Sequence, residues 1–505
     1  MRRLLVLPLL LAGTPLAAQT PAVRRAAATI TAADVSRRIR VIADDSMMGR
    51  DTPSRGLDMT AGYIAGEFKR FGLKPGGDSG TYLQKYPLVS RRLNADASSI
   101  LFEGPNGVRF SLPFTTAAAS GGRGAAPSGP IKSSVTLLSN VVDPAQLLAP
   151  EITNHLVIWV INLAHRPANY RAVIAGLTEA GAGAIGIIAN DDSVFQQLLQ
   201  VQARARTAPD LPSAQTTTPP TVYLSERAIV AAVPEAADQF NQLRASPAPI
   251  IAPMPNWEST LTLRDTVLAR TSAPNVVGIL RGNDPKLRDE YVFITGHMDH
   301  IGITPGAADS INNGADDDAS GTVGVVELAE AFSKGPAPKR SMVFMTVSGE
   351  EKGLLGSAWY ADHPTVPLAN IVADLNIDMI GRNWKDTIVA IGKEHSDLGA
   401  TLNRVNAAHP ELRMTAIDDI WPDERFYFRS DHYNFARKGV PILFFFNGVH
   451  ADYHRPSDSP DKIDAEKEAR IVRLIYYLAR DVANAPARPQ WKPESYKLVV
   501  QGEGR

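Results

Sequence analysis

The sequence contains no cysteine. That excludes disulfide bonds, cysteine nucleophiles, thiolate metal sites and a lipidated cysteine anchor. Any bound metal must be held by His, Asp and Glu. An excess of one charge is also lacking. The 52 Lys and Arg nearly balance the 53 Asp and Glu, leaving a net charge of −1. No electrostatic case exists for a nucleic acid or an anionic membrane as partner. Internal repeats and long low-complexity runs are absent, and no G-x-S-x-G elbow offers a serine nucleophile.

What is present begins with an address. Arg2 and Arg3 precede an apolar run, Leu4 to Ala12, that is too short to span a bilayer. Leu16-Ala17-Ala18 reads as a cleavage region, so residues 1–18 are expected to be a signal peptide. A periplasmic or secreted bacterial protein follows, with no stable membrane anchor after cleavage. At 505 residues the chain exceeds one ordinary core.

Residues 19–125 read as N-terminal helices and the start of the main domain. Thr31 is a plausible N-cap, with Val35, Ile39 and Ile42 at helical spacing. A second amphipathic helix runs from Gly56 to Phe71, and Thr81 to Leu88 reads as an edge strand. Residues 115–133 look like a linker. A separate module occupies 126–255, with a strand at His155–Leu163, a helix at Tyr170–Glu179, and a Gly-Ala-Gly turn from Gly181 into another strand. Residues 204–220 read as a polar loop before a short strand at Thr221–Leu224.

The larger domain resumes at 256 and runs to 485. Strands are predicted at Tyr291–Thr295, Ser341–Val347, Ile371–Asp378, Thr387–Ile391 and Pro441–Phe446. Helices are predicted between them at Ala319–Phe332, Leu354–His363, Ser396–Ala408 and Asp461–Ala483. This alternation implies an α/β fold, a parallel or mixed sheet covered on both faces. Residues 486–505 read as a proline-rich, polar tail.

Five candidate metal-ligand positions stand where strands end or helices begin: His297, Asp317, the pair Glu350 and Glu351, Asp378 and His454. In open α/β sheets ligands bind beyond the carboxyl ends of strands, which sends these distant residues to one edge. Two histidines and three carboxylates suit two Zn²⁺ ions roughly 3.5–4 Å apart if one carboxylate bridges. Glu350 and Glu351 are adjacent, so on a strand they would face opposite ways. Gly349 and Gly353 would let the backbone leave β geometry there. One glutamate can then ligate while the other takes a proton.

The segments GHMDHIG, GADDDASG, SGEEKGLLGS, LNIDM and DYHRPSD, in this order, resemble the co-catalytic dizinc aminopeptidases of the aminopeptidase S and aminopeptidase Y type. That family also includes glutamate carboxypeptidase II and transferrin-receptor-like proteins. The resemblance implies a zinc-exopeptidase, phosphorylase/hydrolase-like domain with a mixed central sheet, and identifies 126–255 with a protease-associated domain. Carried over by position, His297 and Asp378 would hold one zinc and Glu351 and His454 the other, with Asp317 bridging. Glu350 would be the general base, acting on a dizinc-bound water. Asp299 would stand behind His297 and fix its tautomer, and Tyr453 would steady the oxyanion. A cis peptide after Asp317 is also implied.

His300 reads as lying outside the ligand set, and Asp316 and Asp318 as capping groups. The Ser430-Asp431-His432 segment is expected to buttress the site. An acidic loop, Asp418 to Glu424, reads as solvated. The expected activity is that of a zinc aminopeptidase acting on peptides as a monomer. A carboxypeptidase of the glutamate carboxypeptidase type is the alternative, for which Arg425, Arg429 and Arg437 offer cations. A catalytically inactive, receptor-like binding protein is the rival from another class.

Overall fold

The computed structural model describes residues 20–121, 126–141, 144–210 and 218–502. The expected signal peptide, 1–18, lies outside them. The chain divides into two compact units, one of Met1–Tyr86 with Ser272–Arg505 and one of Pro87–Thr271.

The first unit is built on a mixed sheet. Its strands include β1 (Asp265–Leu280), β2 (Tyr291–His297), β3 (Ser341–Val347), β4 (Ile371–Ile377), β5 (Thr387–Ile391), β6 (Thr415–Ile417) and β7 (Ile442–Phe446). The order across the sheet is β6-β5-β7-β4-β2-β3-β1. The central strands β3, β2, β4 and β7 run parallel. β1 is antiparallel to β3, and β5 is antiparallel to β7. The central strands are buried on both faces and read as near-continuous apolar runs, as parallel strands do.

Alternate side chains divide between two layers. Phe293, Val343 and Met345 point into one cluster with Tyr360 and Phe435. These last two are supplied by α5 (Leu355–Asp362) and α7 (His432–Ala436). The opposite face carries α4 (Gly321–Lys334), buried from Gly321 to Phe332. The helices α1 (Pro21–Ala27), α2 (Ala32–Ile42), α3 (Arg55–Arg70) and α8 (Ala465–Asn484) pack against α4. A further helix, α6 (Leu398–Ala408), packs against α8. Thr31 caps α2 by accepting from the Asp34 N–H at 3.1 Å, as its sequence position predicts. Buried Arg38 of α2 pairs with Glu67 of α3 and with Glu327 and Glu330 of α4. A guanidinium answered by three carboxylates ties these helices together in a place where an unpaired charge would be strongly destabilising.

The segment after Pro486, expected as a tail, forms a short helix at Pro493–Tyr496, and Val499 is buried. The Trp491 indole donates to the Gly439 carbonyl at 2.9 Å. Its prolines masked the two apolar anchors that hold it, Trp491 and Val499.

In the second unit, strands Ile131–Ser139, Leu156–Trp159, Ala184–Ala189 and Thr221–Ser225 form a parallel core. The expected linker 115–133 contributes a strand of its own, Ala118–Ser120, and the beginning of another, Ile131–Ser139. The polar stretch 204–220 contains a short strand, Arg206–Pro209; 211–217 lie outside the described residues. The turn from Gly181 to Gly186 spells G-x-G-x-x-G, yet it runs from the helix Tyr170–Glu179 into the strand Ala184–Ala189. Phosphate-binding loops have the reverse order, strand to helix.

Candidate metal centre

Because β2, β3 and β4 are parallel, their carboxyl ends share one edge. His297 is the last residue of β2, and Asp378 follows the last residue of β4. After β3 the chain turns at Gly349, with φ +75°, and a Cβ there would meet Tyr86 Oη at 2.8 Å. Only glycine fits, and the turn lets Glu350 and Glu351 leave strand geometry as the sequence requires. Asp317 sits in the irregular turn Ala315–Ser320 before α4, with a cis peptide to Asp318.

The five expected ligands converge. His297 Nε2 lies 3.4 Å from Asp317 Oδ1 and 3.6 Å from Asp378 Oδ1. His454 Nε2 lies 3.1 Å from Asp317 Oδ2 and 3.1 Å from Glu351 Oε2. Asp317 therefore offers one oxygen to each of two trios. Asp317 Oδ2, Asp378 Oδ1 and His454 Nε2 are buried and make no hydrogen bond among the described residues. Orphaned polar atoms facing each other are costly unless a cation lies between them. Tetrahedral zinc with bonds near 2.0–2.1 Å places neighbouring ligand atoms about 3.3 Å apart, and the spacings here match. The donor set therefore fits zinc, with all-oxygen cages reserved for calcium or magnesium.

Charge tells the same story. Burial pulls the His297 imidazole down, but Asp378, Asp299 and Asp317 overcome this and hold it well above its ordinary value. His454 is also opposed by burial, yet Asp317 and Glu351 raise it to about 10. The pocket demands positive charge at both imidazoles, and a divalent ion supplies it while freeing the nitrogens to ligate. The Glu350 carboxyl is pushed well up, chiefly by burial.

Two further acidic or imidazole groups lie close enough to be mistaken for ligands, since His297 with Asp318 and Asp378, or His300 with Asp317 and Glu351, also cluster. The Asp318 carboxylate is otherwise engaged, accepting from the N–H groups of His297 (3.1 Å), Gly321 (2.8 Å) and Met379 (3.1 Å). It caps α4, and it also clamps the ends of β2 and β4. His300 Nδ1 hydrogen-bonds Glu351 Oε1 at 2.8 Å, which orients that carboxylate. Its burial is complete, so it is not solvated.

Asp299 is placed differently from its implied role. Its backbone carbonyl, at 3.2 Å, is nearer His297 Nδ1 than its carboxylate, at 3.7 Å. The carboxylate accepts from Glu350 N–H at 3.2 Å and from Thr52 Oγ1 at 3.1 Å, so it anchors the glutamate turn. The Tyr453 ring stacks on His454 at 3.8 Å. Burial and the carboxylates of Asp317 and Glu351 keep its phenol protonated, hence a donor. Ser430 donates to Asp378 Oδ2 at 3.1 Å. Asp418 and Asp419 of the acidic loop meet Lys393 and the Trp421 N–H, away from the cluster.

Two residues escaped the sequence reading. Arg50, fully buried, donates to the carbonyls of Met298, Ile42, Asn313 and Gly314. Asp458 accepts from the N–H groups of Asp316 and Asp317 at 3.0 and 3.1 Å. Asp458 lies inside DYHRPSD and could have been noticed; nothing local marks Arg50.

A cavity of about 60 Å³ opens on the cluster. Glu350, His297, Asp317, Asp378 and Tyr453 form one wall, and Met379, Phe426, Phe444, Phe446 and Val449 form an apolar one. Larger cavities of about 680 and 650 Å³ lie elsewhere and include none of these groups. Size does not locate the chemistry here; the orphaned ligand atoms do.

Residues 275–479 match peptidase family M28. Aminopeptidase YwaD of Bacillus subtilis is 29% identical over 244 residues, covering 46% of this chain and 49% of the relative. A probable zinc metalloprotease of Pyricularia oryzae is 29% identical over 270 residues, covering 44% and 52%. The chain thus spans about half the length of these curated relatives. Among solved structures, an aminopeptidase from Aneurinibacillus sp. strain AM-1 aligns with a TM-score of 0.53 at 17% identity, over 94% of this chain and 98% of that one. That likeness is one of fold.

Proposed function

We propose that this chain, whose residues 275–479 belong to peptidase family M28, is an exported exopeptidase that removes N-terminal residues from peptides with two zinc ions. The observation that carries the reading is the convergence of His297, Asp317, Glu351, Asp378 and His454, their facing atoms 3.1–3.6 Å apart. A scaffold that had lost the activity would have no reason to retain all five. The charged and apolar pattern of residues 1–18 supports export.

His297 and Asp378 would hold one ion, His454 and Glu351 the other, and Asp317 would bridge. Zinc bound there supplies Lewis acidity to the scissile carbonyl and to the attacking water. Glu350, in the cavity wall, takes the proton from that water and returns it to the departing amine. Its carboxyl, raised by burial, is suited to hold a proton between those two transfers. The Tyr453 O–H donates to the carbonyl oxygen as negative charge develops on it. Asp299 holds the Glu350 backbone in place, and the apolar wall of the cavity excludes water from the leaving group.

The test is a panel of aminoacyl-p-nitroanilides set against N-blocked peptides, with and without chelator, beside elemental analysis. Two zinc ions per chain, cleavage only of free N-termini and loss of turnover on chelation are expected. Equal cleavage of N-blocked substrates would refute the aminopeptidase assignment, and a metal-free active protein would refute the dizinc one.

A further inference from the structure

One cation enters the cavity wall beside the metal ligands. Arg429 lines the cavity together with Glu350 and Asp378. Its guanidinium lies over the Phe426 ring at 4.8 Å, which fixes its plane. Nη1 donates to Glu424 Oε2 at 3.0 Å and to the Glu424 carbonyl at 3.3 Å. Among the described residues Nε and Nη2 make no hydrogen bond, so half of a fork that matches a carboxylate stays open. The other two arginines of the region are placed elsewhere, Arg425 over the Phe428 ring and Arg437 on Asn434.

We infer that Arg429 receives a carboxylate of the substrate, and that Glu424 is a resident carboxylate holding the guanidinium until it is displaced. Glu424 is 60% exposed on a short turn, Pro422–Glu424. An ion pair that open to water is weak, so exchange is inexpensive. A substrate carboxylate entering the cavity mouth meets the same guanidinium with less water and can use both free donors. A basic side chain at that position meets a like charge. The inference rests on the exopeptidase reading for its substrate, but the cation's place in the cavity is independent of it. Two sources share the chemistry: an Asp or Glu side chain beside the scissile bond, or the terminal carboxylate of a very short peptide.

The zinc-loaded full chain is assayed as wild type, Arg429→Gln and Glu424→Gln. One arm compares glutamyl- with glutaminyl-p-nitroanilide; the other compares Leu-Gly with Leu-Gly-amide. A charge-assisted pair half exposed to water corresponds to a change of about 10-fold. The acid-to-neutral ratio of kcat/KM should fall about 10-fold in Arg429→Gln and rise in Glu424→Gln, in the first arm for a side-chain carboxylate and in the second for a terminal one. Ratios unmoved by both variants in both arms overturn the inference while leaving the exopeptidase reading intact. Calorimetric binding of glutarate separates the converse case. If no peptide is cleaved but glutarate binds about 10-fold more weakly to Arg429→Gln, the activity reading fails and the carboxylate site stands. Equal glutarate binding with no cleavage removes both.

Discussion

Replacing Arg50 with methionine tests whether the metal centre is held by its backbone. The methionine fills much of the same space but has no donor. Three buried carbonyls then lose their partner, Met298 at 2.9 Å, Ile42 at 3.0 Å and Asn313 at 2.6 Å, while Gly314, at 3.0 Å from Arg50, keeps the Ala319 N–H at 3.2 Å. Each unpaired buried acceptor costs about 1–3 kcal/mol. They share one donor, so the losses are not additive, and a total of about 3–6 kcal/mol is expected. That is comparable to the whole stability of an ordinary domain, about 5–15 kcal/mol. The first unit should melt roughly 10–15 °C lower. Zinc affinity should fall as well, because Met298 follows His297 while Asn313 and Gly314 lead into the turn that carries Asp317. Arg50→Lys restores the charge but offers one compact ammonium in place of a fork, and should recover less than half of the loss. Differential scanning calorimetry gives the stability change, and competition with a chromogenic chelator gives the affinity. A variant that melts within 2 °C or so of the wild type, with unchanged zinc affinity, would refute the reasoning, since the three carbonyls would then have found other partners.

Glu350→Gln keeps the ligands and removes the proton acceptor; two zinc ions should remain by elemental analysis while kcat falls about 10²–10⁴-fold, and retained turnover would remove the assigned base. Asp458→Asn weakens the acceptor that positions the Asp316 and Asp317 N–H groups, and zinc affinity should drop about 10–100-fold in the same chelator titration. Asp374 is buried, its carboxyl raised to about 8 by burial against the opposing Thr295 hydrogen bond. An acid whose folded pKa is raised keeps its proton in the folded state while the unfolded chain releases it, so wild-type stability falls as pH rises from the unfolded value toward about 8. Asp374→Asn cannot ionise, and its advantage over wild type should widen by at most about 1.4 kcal/mol per pH unit in that window and level off above it. Urea unfolding at pH 5, 7 and 9 measures the gap, and a constant gap would show that Asp374 is ionised in the fold.

The sheet and the converging His, Asp and Glu cluster were legible because each is written locally. A run such as VFIT ending on Gly296 and His297 carries both its strand propensity and its chemistry within a few residues. His297 and Asp378 close such strands, Glu351 follows another, and Asp317 and His454 lie on segments that lead into helices, so the strand ends point to one edge as soon as the strands are taken as parallel. The cis peptide at Asp317–Asp318 was accessible only through resemblance, since no propensity at that position marks it. Arg50, His300 and the docked C-terminal segment were not legible. Arg50 acts on carbonyls, which every residue has, so no side-chain pattern signals its partners. In sequence, His300 falls outside the ligand set without a partner, because that partner, Glu351, is 51 residues away. Trp491 and Val499 sat among prolines and charges whose average concealed them.

The acidic residues around the site divide by what they accept. Asp318 accepts three backbone N–H groups, and Asp458 two. Asp299 accepts one N–H and one hydroxyl. These oxygens are satisfied by backbone N–H groups and a hydroxyl, all neutral donors. Asp317 Oδ2 and Asp378 Oδ1 accept nothing, though they lie beside the others in equally buried positions. Composition alone cannot separate Asp316, Asp317 and Asp318, three consecutive identical side chains. Backbone geometry does, since the turn before α4 aims only the middle one into the cluster and directs the third back onto N–H groups. The N–H-bound carboxylates fix the loops in place, and the loops in turn prevent the remaining oxygens from rotating away toward donors of their own. A cation site is built this way by withholding hydrogen bonds from chosen atoms. The same logic makes Asp318→Asn more damaging to zinc binding than its absence from the ligand set would imply, because the amide keeps one accepting oxygen and must release either the His297 N–H at the end of β2 or the Met379 N–H after β4.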